Sequence, residues 1–102
     1  MSENQERELT ETEAKVYLVL SLIFEKVMDN EESYEVGLYQ WQKLRPDILK
    51  SLGLTDDLWT SLSDFGDQDE ALQERLAKLN EKYENYSRDM VLSNIPEILK
   101  SL

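Results

Sequence analysis

Asp64, Asp67, Asp69 and Glu70 place four carboxylates in seven residues around Gly66, a density that could attract a hard cation such as calcium. An EF-hand loop requires glycine at its sixth position and glutamate at its twelfth. Counting from Asp64 puts Gly66 third and Arg75 twelfth, so that spacing is missing. Low-affinity calcium binding stays an alternative. The competing account is local: Asp64 closes one helix, while Asp67, Asp69 and Glu70 cap and charge the start of the next. The chain has no cysteine and no histidine. Thiolate nucleophiles, disulfides and imidazole general bases are therefore excluded, and acid–base work would need a strongly shifted carboxylate, lysine or tyrosine. No catalytic residue, cofactor or metal ligand is expected. Ile48 to Leu62 reads as helix, glycine turn, helix, the outline of a DNA-binding motif. Its second helix carries Asp56, Asp57 and Asp64 and no base, which phosphates would repel.

Charge is unevenly placed. Of the net −11, residues 1–13 contribute five acids against Arg7, and residues 54–70 contribute six acids against no base; the other segments are nearly balanced. Such a field steers a protein partner with a basic surface and disfavours direct nucleic-acid binding. Aromatics supply the second signal. Tyr34, Tyr39, Trp41, Trp59, Tyr83 and Tyr86 exceed what a small core needs, and tyrosine and tryptophan suit interfaces because they combine apolar area with a polar tip. Tyr39, beside Gln40 and Lys43, reads as a contact patch. The residues expected to meet a partner are Asp56, Asp57, Asp67, Asp69, Tyr39 and Trp59. They imply a non-catalytic protein that binds a protein partner as an adaptor, regulator or assembly factor. The alternatives are an acidic mimic of nucleic acid that occupies a basic groove, and the weak calcium binder.

These side chains must be carried by helices around Val16 to Phe24, nine residues with one polar member, Ser21. Thr10 and Glu13 have capping-box spacing, Glu11 and Glu13 suit a helix start, and Asn30 could end the element as a left-handed cap, so a helix over about 10–29 is expected. Apolar on all sides, it belongs at the centre. A membrane span would need about 20 apolar residues, and Lys15, Glu25 and Lys26 bracket the run too closely. The acidic residues preceding it also lack the positive start of a signal peptide. A cysteine-free chain fits the reducing cytoplasm.

Ser33 is the expected N-cap of a helix to about Leu44, with a strand over 34–41 as its rival. Pro46 should divide that helix from a short one over 46–52, ended by Gly53. Leu54 and Trp59 then have hydrophobic-staple spacing around Thr55, opening a helix over 56–65. Asp67 and Glu70 repeat the capping-box spacing before a long helix over 68–90. Its seam, Leu72, Leu76, Leu79, Tyr83, Tyr86 and Met90, alternates four- and three-residue steps. That seam should pack antiparallel on the central helix; the alternative use is a homodimer contact. Ser93, Asn94 and Pro96 restart a last short helix. The expected architecture is all-α: one compact domain over 10–102, a bundle of five or six helices around the central apolar helix, preceded by an acidic tail over 1–9.

Overall fold

The computed structural model describes residues 9–30 and 33–102, the last side chain before the gap being that of Asp29. Apart from Leu9, which packs half-buried against the core, the expected tail lies outside the described residues. Six helices are present among them and no strand: α1 (Glu11–Asn30), α2 (Tyr34–Ser51), α3 (Asp57–Gly66), α4 (Glu70–Lys82), α5 (Arg88–Ser93) and α6 (Ile95–Ser101). The protein is thus a small all-α bundle, and no described helix is long and apolar enough to cross a membrane.

The bundle is built on α1. Its capping box forms as the spacing predicts: the Thr10 amide donates to Glu13 Oε1 at 3.0 Å and the Glu13 amide donates to Thr10 Oγ1 at 3.1 Å. Among the described residues, nine of the nineteen buried core hydrophobics belong to this helix, and Leu18, Val19, Leu20, Leu22 and Ile23 have no exposed surface. At 100° per residue those five positions span about 200° of the circumference, more than one neighbour can cover, so helices must pack on α1 from several sides. All five other helices pack on α1; among themselves only α5 and α6 make a comparable contact. One quadrant of α1 is less covered, where Ser21, Phe24 and Met28 are half-buried and Glu25 is exposed. Asn30 is the last helical residue of α1, not a left-handed cap.

Three boundaries differ from the sequence-based expectation. Pro46 does not divide α2, which runs unbroken through it from the N-cap Ser33. The lost hydrogen bond would fall to the carbonyl of Gln42, an exposed residue that water can serve, while Trp41, Ile48 and Leu49 are buried on either side of the proline. Burial on α1 therefore outweighs the local break. Gly53 does end the helix: at φ 77° it supports a Schellman turn, with Leu54 N donating to Leu49 O at 2.8 Å and Gly53 N donating to Lys50 O at 3.0 Å.

The staple expected between Leu54 and Trp59 is replaced by separate packing. Leu54 borders a groove with Val16, Leu52 and Leu99, and the Trp59 ring lies among Tyr17 and Trp41. The N-cap of α3 is Asp56, whose side chain makes no capping bond.

The long helix over 68–90 is also corrected. It starts at Glu70, and its N-cap is Asp69, whose carboxylate accepts from Leu72 N at 3.2 Å, so Asp67 is not the cap. It stops at Lys82, because Lys26 of α1 donates through Nζ to the carbonyls of Tyr83, at 2.7 Å, and Glu84, at 3.3 Å. A cation on the closing carbonyls satisfies acceptors that a continuing helix would have used. Ser87 then caps α5 by accepting from Met90 N at 3.2 Å. Within the predicted seam Leu72, Leu79 and Tyr83 are buried, but Met90 is exposed. The most extensive partner of α1 is accordingly α2, with α4 next.

Candidate functional site

Tyr17 is the polar-tipped residue of an otherwise apolar turn of α1, and a buried phenol needs a partner for its hydroxyl. The hydroxyl donates to Asp67 Oδ1 at 2.6 Å and accepts from Gln73 Nε2 at 2.9 Å. Gln73 Nε2 also reaches the carbonyl of Gly66 at 2.8 Å. Burial first, and the Asp67 hydrogen bond second, push the Tyr17 phenol above its ordinary pKa. Gly66 permits the approach: a Cβ there would stand 2.6 Å from Tyr17 Cδ1 and 2.7 Å from Cζ, inside van der Waals contact.

From Tyr17 a chain of rings runs outward. Tyr17 stacks on Trp59 with centroids 5.9 Å apart, Trp59 meets Trp41 edge to face at 5.8 Å, and Trp41 meets Phe24 edge to face at 5.5 Å. Arg45, one turn beyond Trp41 on α2, sits over that indole at 5.8 Å. Its guanidinium also forms a fork on Asp56, Nε to Oδ1 at 2.7 Å and Nη2 to Oδ2 at 3.0 Å. The Arg45 hydrogen bond holds Asp56 below its usual carboxylate pKa.

These groups enclose a cleft of about 330 Å³ between α1, α2 and α3. Phe24, Leu38, Trp41 and Trp59 form its apolar walls, and Ser21, Ser63, Arg45 and Asp67 its polar edge. Phe24 and Ser21 come from the less covered quadrant of α1, so the cleft is a place where the central helix is incompletely enclosed.

The structure gives the sequence-predicted site residues different positions. Trp59 is half-buried in the cleft wall, and Asp67 stands at its edge. Asp56 is engaged by Arg45, and Asp69 caps α4. Asp57 is exposed in the first turn of α3, and Tyr39 is exposed on α2 with Lys43 Nζ 5.0 Å from its ring centroid. Asp67 and Trp59 are thus brought together, while Tyr39 lies apart. Among the described residues no three carboxylates gather as metal ligands.

Sequence reasoning missed Tyr17, Arg45, Ser63 and Gln73. Two signals were present: a phenol inside an apolar run, and an arginine four residues after a tryptophan, a helical spacing suited to cation–π contact. No family model, curated protein or solved structure matches the chain, so its class rests on its own geometry: a hub-helix bundle with an aromatic cleft.

Proposed function

We propose that this chain is a non-catalytic interaction protein that binds a protein partner bearing a basic surface. The observation that carries the reading is the placement of exposed apolar residues. Of the four large exposed hydrophobics among the described residues, Tyr34, Val36 and Tyr39 fall in the first two turns of α2. Scattered surface hydrophobics are ordinary, but a concentration of them marks a contact region. Val36, Tyr39 and Lys43 share the outer face of α2, while Tyr34 precedes the row Leu38, Trp41 and Arg45 that leads into the cleft. Charge supports the partner's sign: Asp57, Asp64 and Glu70 are exposed, and their side chains have no partner among the described residues. Such acids act on encounter rate, and the tyrosines on affinity. The cysteine-free sequence fits a cytoplasmic setting.

The test is capture from host lysate by the immobilised chain, compared with a Val36→Ser/Tyr39→Ser variant of unchanged circular dichroism. The reading requires a basic protein that the parent retains and the variant loses. With that protein purified, Asp57→Asn/Asp64→Asn/Glu70→Gln should slow association and flatten its salt dependence while leaving dissociation nearly unchanged. Equal capture by parent and surface variant, or association as fast in the neutralised chain at low salt, overturns the reading.

A further inference from the structure

We propose that the cleft between α1, α2 and α3 receives a single basic side chain, arginine or lysine, of the protein partner. The inference rests on the reading of a basic partner and assigns it a point of insertion. Three features of the cleft select a long cation over other occupants.

The first is size and wall chemistry. At about 330 Å³ the cleft stands at the small end of ligand sites, about 300 to 1,000 Å³, which suits one long side chain. Phe24 and Trp59 each meet Trp41 at a steep angle, 75° and 78°, so the rings form the corner of a box. Apolar walls accept the methylene stem of lysine or arginine, and aromatic faces attract its charged head.

Charge is the second. Arg45 would favour an anion were it free, but Asp56 already holds it through both carboxylate oxygens. The charged groups around the cleft are then Arg45, Asp56 and Asp67, with a formal sum of one negative charge, the Tyr17 phenol being neutral. Asp67 Oδ1 accepts from Tyr17, and no donor among the described residues takes Oδ2. Asp67, Ser21 and Ser63 all line the cleft, so its polar edge carries a carboxylate and two hydroxyls able to accept from a donor.

The third is a precedent within the fold: Trp41 already carries the Arg45 guanidinium at 5.8 Å, so this wall tolerates a cation where it is partly desolvated.

Trp41 and Trp59 are the only tryptophans in the chain, so the two indole N–H resonances report on the cleft directly. The full ¹⁵N-labelled chain is titrated with an end-blocked hexa-arginine peptide, with hexa-glutamate as control. Both indole signals should move saturably with the first peptide and stay in place with the second. Asp67→Asn, which preserves an acceptor for Tyr17, should weaken binding about tenfold, the effect of about 1.4 kcal/mol. Glu74→Gln, which removes the same charge from the exposed face of α4, should change it less than about twofold, in the range of an exposed charge. Ser63→Leu, which fills the cleft edge, should abolish the indole shifts in a folded chain; this second variant decides the matter if Asp67→Asn does not fold. Equal weakening by Asp67→Asn and Glu74→Gln would mean diffuse attraction, overturning the cleft while leaving the basic partner in place. Unmoved indoles, or shifts that survive Ser63→Leu, also overturn it. Failure of the lysate capture bears on the partner reading alone.

Discussion

Asp56 stands where a helix-capping carboxylate belongs, yet both its oxygens face Arg45 across the turn from α2. The fork gives this aspartate a testable pH signature. Its folded pKa lies below the ordinary 3.8 because the charged form accepts two guanidinium hydrogen bonds. As pH falls, the unfolded chain therefore takes up its proton first. The stability due to the pair is complete above that ordinary, unfolded value and is lost as pH drops through the folded one. Asp56→Asn should lower the urea midpoint at neutral pH, and the gap between parent and variant should close in acid. Since Asp56 is 38% exposed, the gap belongs to the modest, salt-sensitive range of surface pairs. A gap unchanged across the acid titration would mean that Asp56 acts by shape and not by charge.

At the scale of elements, the ends of α2 and α4 show local and distant causes competing. In α2 a proline that should end the helix is overridden, because Trp41, Ile48 and Leu49 bury on both sides of it. In α4 a heptad-like pattern that should continue is stopped, because Lys26 reaches the carbonyls of Tyr83 and Glu84 from α1. Lys26→Met keeps the apolar stem and removes the donor. Hydrogen bonds to a charged group contribute about 1.5–3 kcal/mol, so a stability loss of that order is expected. It should be accompanied by faster amide exchange around Tyr83 to Tyr86, measured by hydrogen–deuterium exchange. If stability and exchange stay at the parent level, the Ser87 cap alone sets the break.

For the whole molecule, the arrangement of five helices on one hub concentrates stability in α1. Leu18 and Ile23 have no exposed surface. Replacing either by alanine should cost about 2–5 kcal/mol, the range for cavities that a packed core cannot collapse. Against a total of about 5–15 kcal/mol for a domain, that is a large share. Val36→Ala on the exposed face of α2 should stay within about 0.5 kcal/mol. Urea denaturation of the three variants checks the contrast, and unchanged midpoints for Leu18→Ala and Ile23→Ala would show that α1 is not the core. The same geometry explains the cleft. A hub surrounded by discrete cylinders leaves a seam where two neighbours diverge, and here Ser21 and Phe24 lie in that seam.

The Thr10–Glu13 box, the Ser33 cap, the Gly53 stop and the apolar identity of α1 were all legible along the chain. Each depends on backbone amides and side chains a few residues apart, whose geometry a helix dictates. The pairings of Tyr17 with Asp67, Lys26 with Tyr83 and Arg45 with Asp56 were not, although every one of these residue types stood in plain view. Tyr17 and Asp67 are fifty positions apart, and Lys26 and Tyr83 fifty-seven. Their meeting depends on the angles at which α3 and α4 cross α1, which a helical period does not encode. The acids of residues 54–70 illustrate the division. Sequence alone determined that they cluster around two helix ends with no base among them; only tertiary packing decided that Asp56 would bind Arg45, that Asp67 would hold Tyr17 at the edge of a cleft, and that Asp57 would face solvent. Packing decides because a carboxylate goes to whichever donor is nearest after apolar burial has set the helices in place.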